Sequence, residues 1–414
     1  MRKPYALTAV LMVTVATFTY ACGDDDEVVD PQESAEDAGR DAAPKTDAGG
    51  DDEPEDSGGD VGKDSGSDSG DAGDGGDAED TRPKVMVVRD GELDGGMLGL
   101  NTAPVFIDEY ELETNTRVRT IALPTAANGN QRALVHTGPP SSTTHEGALS
   151  LSADGESVAV TGYSAYTEDA PPFTLPNATN PRVVARVKAD GSVDTTTLVT
   201  NSFAPTNIGG GVISGNDVWI TGTTDGADDG PLQYIAFGNA LGGATDGTPI
   251  VAPNAPRYVV RIFQGQLYAS AMSGDIFRVG AGLPTTANQT ETSVVNAFGA
   301  FEFEFVDMDG APGAERLYVA VDGAGPPGGV WKYTYDTTSS QWSLDTTFSK
   351  GVTTGVRGLA AYKDGTKVVI VASTTEGDKL LRFVDDGSAD PASTVVATAA
   401  PGTFFSGVSV SPKP

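Results

Sequence analysis

A strand–turn–strand unit recurs along residues 82–414, and this repeat restricts the fold more than any other feature of the 414-residue chain. The first copy is Gly147-Ala-Leu-Ser-Leu-Ser-Ala-Asp-Gly155, followed by Ser157-Val-Ala-Val-Thr161. Similar pairs are 211–216 with 218–221, 258–263 with 266–270, 301–306 with 316–320, and 358–362 with 367–371. Each pair leads into further β-branched segments, such as 182–187 with 195–199 and 329–335 with 341–346. The runs are rich in Val, Ile, Thr, Tyr and Phe, and Gly, Asp, Asn and Pro separate them. No stretch sustains the period of an amphipathic helix. Four strands in roughly 50 residues, repeated, predict an all-β fold of the propeller type.

The two ends complete the count. Residues 85–88, 105–111 and 117–123 supply three strands of a blade, and the chain closes on Gly407-Val-Ser-Val-Ser411, a lone strand like the first of every copy. Joining it to the opening three predicts a six-bladed β-propeller closed by its own termini. Closure removes open strand edges that would invite aggregation. Seven blades would follow if residues 162–181 or 238–249 contained further strands.

Ahead of this unit lie two segments of different character. Arg2 and Lys3 precede an apolar run, residues 5–21, which ends at Ala21 and the only cysteine, Cys22. A charged start, a short apolar core and a small residue before the cut describe a secretory signal. Cysteine at the first mature position is what lipid modification of an exported protein requires. Residues 1–21 are therefore read as a lipoprotein signal peptide, with Cys22 as the lipid attachment site. Plain cleavage and an uncleaved anchor are the competing readings, since Thr19 and Ala21 also suit ordinary processing and the run is barely long enough to span. A single cysteine excludes a disulfide framework, so the folded part relies on its apolar core. Gly23, rather than Asp, follows the cysteine and points to the outer membrane.

Residues 22–81 read as the lipidated cysteine and a disordered linker. From 23 to 81 there are 23 acidic residues against Arg40, Lys45 and Lys63, and no Leu, Ile, Phe, Tyr or Trp. Such a segment has nothing to offset the entropy of ordering. It holds a net charge of −20 out of the chain's −32. A Gly-rich coil of this length averages roughly 40–45 Å end to end, and self-repulsion extends it. Its Asp-Ala-Gly and Asp-Ser-Gly triplets lack the ligand alternation of a calcium loop. The acidity argues against nucleic acid as a partner.

Several runs, among them Pro104-Val-Phe-Ile-Asp-Glu-Tyr110, Thr120-Ile-Ala-Leu-Pro124, Gln266-Leu-Tyr-Ala-Ser270, Gly282-Leu-Pro-Thr-Thr286 and Val356-Arg-Gly-Leu359, resemble a family of exported bacterial β-propeller lipoproteins. The resemblance spans most of residues 84–413. It implies the fold and export, and no particular activity.

Candidate chemistry is sparse. The two histidines, His136 and His145, lie in a Pro/Ser/Thr/Gly-rich stretch and read as loop or surface residues. No HExxH, Gly-x-Ser-x-Gly or CxxC motif occurs. Near the start of successive copies sit Glu146, Asn207, Arg257, Glu302, Arg357 and Ser406. Innermost propeller strands line the central channel, so these six are candidates for a polar ring there. Lactonase-type six-bladed propellers hold calcium with Glu, Asn and Asp in a comparable place; two arginines here favour Arg–Glu pairing instead. Asp307-Met-Asp-Gly310 and Asp225-Gly-Ala-Asp-Asp-Gly230 read as turns, and Trp219, Trp331 and Trp342 as packing between blades. The leading functional expectation is a non-catalytic, lipid-anchored binding module of the cell envelope, with envelope protein or glycan as ligand and no cofactor. The competing one is a lactonase-like or other hydrolase with a divalent cation, calcium, at the channel.

Overall fold

The computed structural model describes residues 83–94, 98, 101–138, 146–164, 170–203, 205–224, 230–241, 246–323 and 328–414. The signal segment, Cys22, the acidic spacer, His145 and residues 225–229 lie outside them. The described residues fold into a six-bladed β-propeller. Blade 1 holds β1 (Lys84–Asp90), β2 (Thr102–Glu111) and β3 (Thr116–Ala122). A short strand, β4 (Val135–Thr137), leads to blade 2, made of β5 (Ser150–Leu151), β6 (Ser157–Tyr163), β7 (Arg182–Lys188) and β8 (Val193–Val199). Blade 3 is β9 (Ile208–Ser214), β10 (Asp217–Gly222), β11 (Leu232–Ala236) and β12 (Thr248–Pro249). Blade 4 is β13 (Arg257–Phe263), β14 (Gln266–Ala271), β15 (Asp275–Val279) and β16 (Glu291–Asn296). Blade 5 is β17 (Ala300–Val306), β18 (Arg316–Val321), β19 (Gly329–Asp336) and β20 (Gln341–Phe348). Blade 6 is β21 (Val356–Asp364), β22 (Lys367–Thr374), β23 (Lys379–Asp385) and β24 (Thr394–Thr398). The last strand, β25 (Phe404–Val410), returns to blade 1 and pairs antiparallel with β1, Val85 opposite Val410 and Val87 opposite Val408.

The chain's ends thus supply one sheet between them, as the sequence predicts. Among the described residues of 162–181 and 238–249 no seventh blade forms, and 248–249 make β12, the outer strand of blade 3. The one departure from four-stranded blades is β4, which pairs with β2 on one side and β6 on the other and stitches blades 1 and 2 into a continuous sheet. No helix among the described residues is long and apolar enough to cross a membrane.

Period-two alternation explains why inner strands read as unbroken apolar runs. Successive side chains on a strand point to opposite faces, and in a propeller both faces of a blade meet a neighbour. On β22, Val368, Ile370 and Ala372 enter the core against blade 5, while Val369 and Val371 enter the core against blade 1. On β1, Val85 and Val87 face blade 6, and Met86 and Val88 face blade 2. The buried apolar residues fall into six clusters, one for each seam of the ring. Outer strands lose this double burial: β3 and β20 are largely exposed.

Candidate functional site

The same irregularity opens the inner strand of five blades. Pairing between first and second strand slips by one residue near the hub, between Val87 and Arg89 in blade 1, Ile220 and Gly222 in blade 3, and Arg257 and Val260 in blade 4. Blades 5 and 6 repeat it between Ala300 and Phe303 and between Val356 and Leu359. Such bulges bend a strand and re-aim its side chains. Counted from the slip, Glu302 stands level with Gly210, Val259, Gly358 and Gly407. A single blade therefore carries a carboxylate at the level where most others are small or apolar.

That carboxylate fills the hub. Glu302 is buried, and its Oε1 accepts the Leu149 N–H of blade 2 at 3.1 Å. Its Oε2 accepts the N–H of Leu359 at 2.6 Å from blade 6 and of Val408 at 3.2 Å from blade 1. Arg261 of blade 4 adds a guanidinium donor at 3.2 Å and also donates to the carbonyls of Leu149, at 2.6 Å, and Leu359, at 3.3 Å. Glycine at 358 and 407 is required by the close approach of inner strands here: a Cβ at Gly358 would run into the Ser406 carbonyl, and one at Gly407 into the Gly147 carbonyl. Burial pushes the Glu302 carboxyl up, to about 7, against the downward pull of Arg261 and the three amide donors.

The Arg261–Glu302 pair closes the channel and leaves a blind cavity at each mouth. One is a narrow cavity of about 40 Å³, with Glu302 at its floor and Asp90, Thr137, Glu146, Phe301, Arg357 and Ser406 among its walls. The other is lined by Arg261, Glu304, Asp154 and Lys413.

Of the six ring candidates, Glu146, Glu302, Arg357 and Ser406 line the first cavity together. Glu146 Oε1 accepts the Thr137 N–H at 2.9 Å. Arg357 pairs with Asp322 at 2.8 Å and lies 4.7 Å over the Phe301 ring, which stacks on Tyr258. The Ser406 hydroxyl faces the Gly147 carbonyl at 3.4 Å. Asn207 and Arg257 do not belong to this wall. Asn207 meets the Tyr163 hydroxyl at 3.5 Å. Arg257 turns outward along its own blade to a two-pronged contact with Glu291, at 2.9 and 2.5 Å, and stacks on Phe277. Distance from the strand start does not place these residues on one face, because the bulge intervenes and a shift of one residue reverses the face. Arg261, four residues beyond Arg257 on the same strand, is the arginine that reaches the axis.

His136 also departs from expectation. It sits on β4, 1% exposed, instead of in a surface loop. Its Nδ1 lies 2.7 Å from Asp90 Oδ1 and its Nε2 2.8 Å from the Thr161 carbonyl. Of the tryptophans, Trp219 is fully buried between blades 3 and 4 and donates to the Pro284 carbonyl. Trp331 and Trp342 pack at the seam of blades 4 and 5. The carboxylates of Asp307, Asp309 and Glu315 converge within 4.8 Å, and they accept N–H donors of their own turn, from Met308, Asp309, Gly310 and Ala311.

Glu302 is not placed to hold a divalent cation on the axis. Such an ion needs several free carboxylate or carbonyl oxygens. Both oxygens of Glu302 already receive N–H donors, and a guanidinium stands beside them.

No family model matches the chain, and no curated protein does. Among solved structures, the periplasmic gluconolactonase of Pseudomonas aeruginosa is 14% identical at a TM-score of 0.46, over 80% of this chain and 100% of its own. TolB from Acinetobacter baumannii is 8% identical at 0.37, over 78% of this chain and 67% of its own. A putative 6-phosphogluconolactonase from Bacteroides uniformis is 12% identical at 0.45, over 78% of this chain and 99% of its own. The fold assigned above rests on strand pairing and not on these likenesses, which carry no argument about activity.

Proposed function

We propose that the chain is a binding module of the bacterial envelope, exported, lipidated at Cys22, and held by the acidic spacer 23–81 ahead of the propeller 82–414. Its ligand site is the rim of the hub mouth on the Glu302 side, and the ligand is a sugar unit of an envelope glycan lying across the narrow cavity there. One observation carries the reading: the Arg261–Glu302 plug spends the central carboxylate on structure and leaves a narrow pocket above it. Around that pocket the Asp90 and Glu146 carboxylates and the Ser406 hydroxyl offer polar partners for sugar hydroxyl groups. A hydrolase working through a channel cation would have to hold it without Glu302, on Glu146 and Asn207.

Calorimetric titration of the mature full-length protein with soluble envelope-glycan fragments, alongside metal analysis, tests this. Saturable binding that weakens at least tenfold in Glu146→Gln is the expected result. Absence of binding to any fragment, or one tightly held divalent ion per chain, overturns it.

A further inference from the structure

Both ring nitrogens of the buried His136 face acceptors, the Asp90 carboxylate and the Thr161 carbonyl. A carbonyl has no proton to give, and an ionised carboxylate has none either. A neutral imidazole carries a single N–H, so one of the two contacts would set lone pair against lone pair. A doubly protonated ring donates to both. The groups around it favour that form. Asp90 comes from β1, and Glu146 comes from the segment leading into β5; both are acidic and both act on the ring. β6 presents the Thr161 carbonyl, and β2 runs alongside with Ala103 opposite His136. The nearby cations are committed elsewhere: Arg89 to Asp108 and the Gly91 carbonyl, Arg182 to the carbonyls of Phe173, Leu175, Asn180 and Thr206.

The position of the ring gives its charge a consequence. β4 is the stitch between blades 1 and 2, and the ring's two contacts reach one blade each, Asp90 in blade 1 and Thr161 in blade 2. Asp90, Thr137, Glu146 and Gly147 are all in the wall of the hub-mouth cavity, and a Cβ added at Gly147 would come 3.4 Å from the ring's Cε1. We infer that His136 is an imidazolium at neutral pH, that it clamps the first two blades together, and that losing its proton loosens this wall of the cavity. As regulation of a ligand site the inference rests on the function proposed above; the clamp itself does not, since it is read without ligand.

Burial, the largest single effect, lowers the affinity of His136 for its proton, but Asp90, Glu146 and the Thr161 carbonyl together outweigh it and the net shift is upward from the ordinary 6.5. A histidine with a raised pKa in the folded state stabilises fully below the unfolded value, and that contribution is lost as pH rises through the folded one. The direct test is long-range proton–nitrogen NMR on the nitrogen-labelled, ligand-free full-length protein. His145→Gln leaves His136 as the only imidazole, so its signals need no further assignment. At pH 7 both ring nitrogens are expected in the imidazolium range, each with its own proton, and the amides of Thr137 and Gly147 are expected to shift with the ring's titration above pH 7. A neutral tautomer at pH 7 overturns the inference. So does a ring that titrates while those two amides stay still. Neither outcome bears on whether a glycan binds.

Discussion

Two oxygens of Glu302 hold backbone donors from blades 2, 6 and 1, while Arg261 reaches in from blade 4. One side chain therefore bolts together strands from most of the ring. Its partners are a charge and three main-chain groups that are difficult to satisfy otherwise. Glu302→Gln keeps the size but turns an NH₂ group toward N–H donors and leaves the Arg261 cation without its partner. Because burial raises the carboxyl to about 7, its ionisation costs the fold stability as pH rises from the unfolded value near 4 through 7, so the wild-type protein should lose stability over that range and Glu302→Gln should lose less. Urea denaturation of both proteins from pH 5 to pH 8 measures it, and parallel pH profiles would refute the assignment.

At the scale of strands and blades, the seams repeat one design with local polar additions. Asp385 of β23 is fully buried and reaches across to blade 5, to the Tyr318 hydroxyl at 2.6 Å, Arg316 at 3.1 Å and Lys332 at 3.0 Å. Burial would raise its pKa, but the Tyr318 hydroxyl, Lys332 and the Gly387 N–H hold it below the usual aspartate range. Stability from such a group is present above the unfolded value, near pH 4, and is lost as pH falls through the folded one. Asp385→Asn should therefore destabilise by about 3–5 kcal/mol at pH 7 and flatten the acid limb of stability against pH. A parallel acid limb in the variant would contradict the assignment.

The strands themselves were largely legible in the sequence, since alternating side chains feed two cores and leave a period-two apolar signal. β13 and β14, for example, fall within a residue of the segments 258–263 and 266–270. The hub was less legible. Arg357 and Ser406 stand at one level relative to the bulge and Glu302 one residue further along its strand, and a bulge has no residue signature that sets its register. Arg257 and Arg261 share a strand, so the one that reaches the axis is fixed by what stands opposite. β4 is three residues long, too short for any periodicity, and so His136 read as a loop residue.

As a whole molecule, the propeller closes without a disulfide, because β25 and β1 complete one sheet and bury a sixth seam. That leaves the only thiol for another use, which fits the proposed lipid at Cys22. More than one acyl chain holds a protein to a bilayer far more firmly than a single one. Expressed in a bacterial host, the wild-type chain should fractionate with membranes and carry the mass of a diacylglyceryl group on its cysteine peptide. Cys22→Ser should move it to the soluble fraction with the propeller's thermal midpoint unchanged. Membrane association that survives the substitution would remove the lipid from the account.

The position of β1 also fixes how the domain bears load. The strand enters at Lys84, runs roughly 20 Å to Asp90 at the cavity wall, and is paired along its length with β2 on one side and β25 on the other. A drag force arriving from the N-terminal side pulls along this strand, at right angles to its antiparallel hydrogen bonds. The two ladders are then sheared as a block instead of unzipped bond by bond. Mechanical failure must break both at once, so the point where the chain would be pulled is also where the ring resists pulling best.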